Sequence, residues 1–136
     1  MEAMKIMLKW NDEYSIGIQL IDAQHKHLFE IGNNALVLLN NHTEVDKYPE
    51  IVQIVEDLFQ YTKYHFKCEE IYMLENNYGG YCIQKVEHDD FIKKLDSYNL
   101  SKPDQNHDKY IMELILFIFD WILEHILKKD KLISKV

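Results

Sequence analysis

Apolar residues recur at intervals of three and four along four separate stretches of the chain, and this spacing predicts α-helices that each bury one face. The stretches cover residues 19–40, 47–76, 81–98 and 107–129. The first carries its apolar face at Ile21, Leu28, Ala35, Leu36 and Leu39. Residues 1–18, which include Trp10, Tyr14 and Ile16, lack such a repeat and are predicted to form a non-helical arm.

Polar and glycine-containing segments separate the four predicted helices. They read NNHTEVD over 40–46, NNYGG over 76–80 and SKPDQNHD over 101–108. The glycines of the second segment are expected to end the preceding helix, because glycine adopts left-handed backbone geometry without strain. Connections this short place successive helices antiparallel. The sequence therefore predicts an all-α, up-down-up-down four-helix bundle over residues 19–130, preceded by the arm, in a single domain spanning residues 1–136.

Several inward positions of the predicted helices carry polar side chains, which an apolar core does not tolerate alone. They are His25, His65, Glu69, Gln84, His88 and His125. Burying such a group without a partner costs roughly 2–7 kcal/mol. Taken singly, each histidine is explained by a hydrogen bond within the core. Taken together, the six lie near the starts of the first and third helices and the ends of the second and fourth, which meet in one half of an antiparallel bundle.

This convergence of imidazoles and a carboxylate predicts a transition-metal site. The candidate ligands outnumber the four that a tetrahedral zinc ion uses, and two metal ions bridged by carboxylates would use the set better. Iron suits the imidazole-rich mixture, although spacing alone does not distinguish it from manganese or zinc. The remaining histidines, which are His27, His42 and His107, fall away from this point and are predicted to be solvated or incidental.

Composition narrows the possible functions. The formal net charge is −8 and no block of Lys or Arg stands out, so a nucleic-acid role is not expected. The longest apolar run, LILFIF over 114–119, is too short to cross a membrane. The first residues do not resemble a secretory signal, and a cytoplasmic location is expected. Cys68 and Cys82 are expected to be free thiols, with a disulfide across the turn near Gly79 as the alternative.

Four motifs, in order along nearly the whole chain, resemble the hemerythrin family and specifically its bacterial type, the bacteriohemerythrins. Trp10 and the stretch YSIGIQLIDAQHKHLF (14–29) resemble the arm and first ligand helix of the family. The stretches HFKCEEIYM (65–73), EHDDF (87–91) and WILEHILKKD (121–130) resemble its motifs on the second, third and fourth helices. One such motif would be weak evidence, but four in this order are specific.

The resemblance implies two iron ions, bridged by carboxylates and an oxo or hydroxo group, that bind dioxygen reversibly. It implies that His25 and His65 hold the iron that takes up dioxygen. His88 and His125 would hold the other iron. The implied small-molecule partner is dioxygen or another diatomic ligand, and the residues indicate no particular protein partner.

The resemblance further implies that Glu69 and Asp130 bridge the two irons. Helical spacing does not predict Asp130, because a residue five positions beyond His125 is rotated by about 140° on an ideal helix. The apolar residues implied around the dioxygen pocket are Leu28, Phe66, Trp121, Ile122 and Ile126. Plain core packing also explains these five residues, and the two roles are compatible.

One position departs from the family pattern, which has histidine where this chain has Gln84. Three outcomes are open at this point. Gln84 coordinates metal through its amide oxygen, or it holds a water molecule that coordinates, or the second iron is weakly held and leaves a labile or mixed-metal site. The expected function is reversible dioxygen binding for storage, delivery or sensing, without catalysis. The alternatives are di-iron redox chemistry on peroxide or nitric oxide through an opened site, and a degenerate metal site.

Overall fold

Four long helices carry the buried faces that the periodicity predicts, in a computed structural model that describes residues 9–40, 48–98 and 107–133. The helices are α1 (Gln19–Leu39), α2 (Tyr48–Glu75), α3 (Tyr81–Asp96) and α4 (His107–His125). A π-helical turn (Ile126–Asp130) and a last short helix, α5 (Lys131–Ile133), follow α4 directly. The described residues contain no strand. The predicted all-α four-helix bundle is therefore confirmed.

A continuous apolar core runs through all four helices. Its fully buried members include Ile21, Leu28, Leu36, Ile51, Leu58, Leu95, Ile111, Leu114 and Ile118. These residues fall on the faces that the spacing assigns to the interior, because helical residues three and four apart share one side. None of the helices in the described part of the chain is long and apolar enough to span a membrane.

The end of α2 falls where the NNYGG segment predicts it, but asparagine and not glycine makes the turn. Asn77 has φ of 53°, in the left-handed region. The Tyr78 amide donates to the Met73 carbonyl at 2.9 Å, and the Asn77 amide donates to the Leu74 carbonyl at 3.2 Å. This pair of bonds is the Schellman pattern, in which Asn can replace Gly. The expectation that a glycine supplies the left-handed residue was wrong.

The arm is held against the start of α1 by one carboxylate and an aromatic cluster. Asp22 accepts hydrogen bonds from the Ser15 hydroxyl at 2.6 Å and from the Ile16 amide at 2.8 Å. Trp10 and Tyr14 pack edge-on and tilted against Phe29, with ring centroids 5.6 and 5.9 Å away. The arm is not wholly non-helical, since residues Asp12–Tyr14 form a short 3₁₀ turn.

The periodicity predicted a regular fourth helix to residue 129, but the regular helix ends earlier. It changes at Ile126 into a π turn, in which the Lys131 amide donates to the Ile126 carbonyl five residues earlier. This wider turn is uncommon and is found mostly at functional sites. It determines where Asp130 points, as described below.

Of the three histidines predicted to lie away from the metal site, the structure describes the side chain of His27, which is consistent with that prediction. His27 is half exposed and contacts Glu30, with 3.2 Å between Nδ1 and Oε1. The side chains of His42 and His107 lie outside the described residues. Cys68 and Cys82 are free thiols, as predicted.

Candidate metal centre

All the polar residues predicted to converge do so in one half of the bundle, and Asp130 joins them. Each helix contributes: α1 carries His25, α2 carries His65 and Glu69, α3 carries Gln84 and His88, and α4 carries His125. All seven side chains are buried, and the most exposed of them, His125, is only 6% exposed. The donor atoms of the four histidines and two carboxylates form two groups that share both carboxylates.

The first group joins α1, α2 and the π turn. It consists of His25, His65, Glu69 and Asp130, all buried. Glu69 Oε2 lies 3.4 Å from His25 Nε2 and 3.1 Å from His65 Nε2. Asp130 Oδ2 lies 3.4 Å from His25 Nε2. This grouping matches the pair of histidines that the resemblance assigns to one iron.

The second group uses the other oxygen of each carboxylate. Glu69 Oε1 lies 3.2 Å from His88 Nε2, and Asp130 Oδ1 lies 3.3 Å from His125 Nε2. The two imidazole nitrogens are themselves 3.2 Å apart. Each carboxylate therefore presents one oxygen to each group, which is the arrangement of a bridging ligand between two metal ions.

The donor set fits two metal ions. Bonds of about 2.1 Å at right angles put neighbouring donor atoms about 3 Å apart, which is close to the distances found here. Several of these buried atoms have no hydrogen-bond partner: both nitrogens of His25, both oxygens of Glu69 and Oδ1 of Asp130. Leaving such groups unsatisfied is costly, and a bound cation satisfies them together.

Three further residues face the outer nitrogens of the imidazoles. His65 Nδ1 lies 2.7 Å from Gln24 Oε1, and His88 Nδ1 lies 2.9 Å from Glu70 Oε2. His125 Nδ1 lies 3.4 Å from Glu87 Oε1. An acceptor behind an imidazole keeps the proton on Nδ1 and leaves the Nε2 lone pair free for a metal ion.

The sequence reasoning missed these orienting residues. Glu70 follows the inward-facing Glu69 directly on α2, yet its side chain is only 14% exposed and turns toward His88 on α3. Gln24 is buried on α1, three residues from Ile21 and four from Leu28 on the apolar face. That spacing was a signal that could have marked Gln24 as inward-facing. No local spacing signals the role of Glu70 or Glu87, because each acts on a histidine from another helix.

The π turn explains why Asp130 reaches the centre. On a regular helix the fifth residue beyond His125 would point well away from it. In the π turn the backbone bond closes between residues five apart, so His125 and Asp130 lie about one turn apart on the same side. Both Asp130 oxygens consequently face imidazole nitrogens.

Electrostatics within the cluster are strong because little water reaches it. Burial lowers the pKa of His25, but the neighbouring carboxylates of Asp130 and Glu69 outweigh it and raise the pKa to about 9. Burial likewise lowers the pKa of His88, and Glu69 and Glu70 outweigh it and raise the pKa to about 9. Burial alone would raise the pKa of Glu69, yet the imidazoles around it hold that pKa well below its ordinary value.

A small, partly open cavity of about 10 Å³ adjoins the first group. Its lining comprises Phe66, Trp121, Ile122 and Ile126 together with His25, His65, His125 and Asp130. This volume is on the order of one water-sized molecule. Four of the five predicted pocket residues therefore line it, whereas Leu28 is fully buried in the core and is not part of the lining.

Known proteins with the same organisation place this chain in a family. The model of the hemerythrin HHE cation-binding domain matches residues 16–135. A bacteriohemerythrin of Clostridium acetobutylicum is 45% identical over 125 residues, covering 92% of this chain and 97% of that protein. A hemerythrin of Sipunculus nudus is 32% identical over 117 residues, covering 86% and 82%. A crystal structure of wild-type hemerythrin superposes with a TM-score of 0.68 at 27% identity, covering 96% and 97%. The chain belongs to the hemerythrin family.

Substitution Asp130→Asn tests the shared carboxylate. It preserves size but removes the charge and one acceptor oxygen, so affinity for at least one metal ion should fall by about 10-fold or more. Metal analysis after dialysis and calorimetric titration with Zn²⁺ or Co²⁺ measure this. The matched control is Asp120→Asn, at an exposed position of α4. Equal metal content in both variants would contradict a bridging role for Asp130.

The raised pKa values of His25 and His88 predict that two quantities change with pH in opposite directions. These are the free energy of unfolding of the metal-free chain and its affinity for metal. A histidine whose pKa rises from 6.5 to about 9 on folding contributes stability that is fully present below pH 6.5. That stability is lost as the pH rises through about 9. Metal affinity should increase over the same window, because the metal displaces these protons. Urea denaturation of metal-free protein and calorimetry in buffers of different ionisation enthalpy measure the two trends.

The half-exposed His27 supplies the control for this pH dependence. His27→Gln should leave both profiles unchanged. The interpretation fails if metal binding releases no protons at pH 7.

Proposed function

We propose that this chain is a single-domain, non-haem di-iron protein that binds dioxygen reversibly, for storage, delivery or sensing. The observation that carries the proposal is the division of each buried carboxylate between two groups of histidines. Glu69 presents Oε2 to His25 and His65, and it presents Oε1 to His88. This arrangement suits a pair of metal ions better than it suits a single ion.

The proposed ligand roles follow the two groups. His25 and His65 hold one ion, His88 and His125 hold the other, and the shared carboxylates bridge them. Iron, when bound as a pair, supplies the electrons for reversible uptake of a diatomic gas. Two carboxylates and four neutral imidazoles leave a pair of divalent ions with a net positive charge, which favours a ligand that accepts electron density.

The chain's own residues set the conditions around that position. The cavity beside His25 and His65 is lined on its other side by Phe66, Trp121, Ile122 and Ile126. Its small volume admits a diatomic molecule only with slight side-chain movement, and its apolar wall favours an uncharged gas over ions. The same wall limits the access of water, which would otherwise displace the ligand. The names of the relatives, bacteriohemerythrin and hemerythrin, support this proposal.

Anaerobic loading with Fe²⁺ followed by exposure to air tests the proposal. A visible absorption band should appear with dioxygen and disappear under argon over repeated cycles. Substitution Ile122→Phe fills the cavity and leaves every proposed metal ligand in place, so it should weaken dioxygen binding while iron content stays at two ions per chain. Equilibrium titration with dioxygen, followed by absorption, measures the loss, which we expect to be about 10-fold.

The matched control for the cavity is Ile83→Phe, since Ile83 is 60% exposed on α3. It should bind dioxygen like the parent chain. Irreversible bleaching on the first exposure to air, or absence of any band from iron-loaded protein, would overturn reversible binding as the function.

A second candidate function rests on Gln84. An amide in place of an imidazole is a weaker donor, and its displacement would open a position on the second ion. This favours redox chemistry on peroxide or nitric oxide. The chemistry balances when peroxide takes up two electrons and two protons to give two waters, or when two nitric oxide molecules take up the same to give nitrous oxide and one water. An external thiol or reduced flavin is the electron donor in either case.

Steady turnover with peroxide and such a donor, lost in Gln84→His, is the expected result for this second function. Turnover is measured from peroxide consumption at matched iron content. Equal trace-level activity in both proteins would leave no reason to assign it. Gln60→Leu, an exposed change on α2, is the control for nonspecific effects.

A further inference from the structure

Gln84 is a buried amide that faces the centre of the second group. It lies on α3, one turn before His88, and is only 2% exposed. Its Oε1 lies 2.8 Å from His125 Nε2, which is closer than the 3.3 Å between Asp130 Oδ1 and the same nitrogen. Its Nε2 has no hydrogen-bond partner. An amide that only filled space in the core would be expected to satisfy both ends.

The positions of the protons on His88 and His125 determine whether the amide oxygen of Gln84 faces an N–H group or a nitrogen lone pair. Glu70 Oε2 lies 2.9 Å from Nδ1 of His88, and Glu87 Oε1 lies 3.4 Å from Nδ1 of His125. A carboxylate only accepts hydrogen bonds, so it favours the form in which each imidazole carries a proton on Nδ1. Once any proton on Nε2 has left, as metal binding requires, the lone pair of each Nε2 points into the centre.

In that metal-binding form, three lone-pair donors face one another at short range. Nε2 of His88 and Nε2 of His125 are 3.2 Å apart, and Gln84 Oε1 completes the set. Such contacts repel unless positive charge lies between them. A proton on one nitrogen relieves only one contact at a time, whereas a metal ion satisfies all three.

We infer that Gln84 binds metal through its amide oxygen, as a ligand of the ion held by His88 and His125. This inference rests on the proposed two-metal centre and specifies one of its positions. The second ion then has two nitrogens and three oxygens around it, one oxygen each from Glu69, Asp130 and Gln84. The first ion has two nitrogens and two oxygens from the protein.

This difference makes the two positions chemically unequal. A carbonyl oxygen is a harder donor than imidazole, and carbonyl and carboxylate oxygens suit Mn²⁺, whereas imidazole suits Zn²⁺. Carboxylates behind His88 and His125 increase the basicity of those imidazoles and partly compensate for the weak amide. At the first position, His65 has only the neutral Gln24 behind it. The second position should therefore accept Mn²⁺ more readily than a site with a third imidazole would.

Titration of the metal-free chain with Zn²⁺ and with Mn²⁺ tests the inference without any dioxygen or turnover assay. The parent chain should bind two ions, and Gln84→Leu should weaken the second by about 10- to 100-fold while leaving the first unchanged. Gln84→His should increase the affinity of the second position for Zn²⁺ much more than its affinity for Mn²⁺. A purely structural role for Gln84 would change both affinities alike and would leave their ratio unchanged.

Two other glutamines provide matched controls. Gln60→Leu, at an exposed position on α2, should change neither affinity. Gln24→Leu removes the acceptor behind His65 and should weaken the first position and not the second. Circular dichroism of each variant establishes that it is folded, and Gln84→His keeps the test valid if Gln84→Leu does not fold.

The outcomes separate this inference from the proposed function. Two bound ions with an unchanged second affinity in Gln84→Leu, or an unchanged preference between Zn²⁺ and Mn²⁺ in Gln84→His, would overturn the ligand role of Gln84 alone. A parent chain that binds fewer than two ions would overturn the two-metal centre itself. A weakened second position in Gln84→Leu, together with a larger preference for Zn²⁺ over Mn²⁺ in Gln84→His, supports both.

Discussion

The burial of two carboxylates and four imidazoles at one point in an apolar core is the constraint on which the rest of this structure depends. Each such group would cost several kcal/mol if it were left without a partner. Their mutual distances of 3.1–3.4 Å are those expected of groups arranged around shared positive charge. In the metal-free chain, protons on His25 and His88 supply part of that charge, as their raised pKa values indicate. Metal ions would supply it more completely.

That constraint accounts for features some distance from the cluster. The α4 helix departs from regular geometry where Asp130 must reach the centre, which is an unfavourable local conformation sustained by the contacts it permits. Hydrogen-bond acceptors on α1, α2 and α3 face the Nδ1 atoms of three imidazoles, and these acceptors differ in charge. Carboxylates serve His88 and His125, whereas an amide serves His65. The two halves of the centre are thus built with different electronic surroundings.

Much of the fold could be predicted from the sequence because its causes are local. Apolar spacing located all four helices and the inward residues, since residues three and four apart always share a helix face. The pairs His65 with Glu69 and Gln84 with His88 follow from the same rule. Helix ends were less predictable. The end of α2 depends on the backbone of Asn77, and the end of α4 on a π turn that periodicity does not reveal.

The sequence by itself determined the helices, the set of inward polar residues on each and the motifs that resemble the hemerythrins. Only the tertiary structure decided how those residues divide into two groups and which oxygen of Glu69 or Asp130 faces which histidine. It also decided that Gln24, Glu70 and Glu87 stand behind the imidazoles and that Gln84 turns its oxygen toward His125. The physical reason is that each of these contacts joins side chains on different helices. Their geometry depends on how the helices pack and on the π turn. Residue spacing within one helix predicts neither of these.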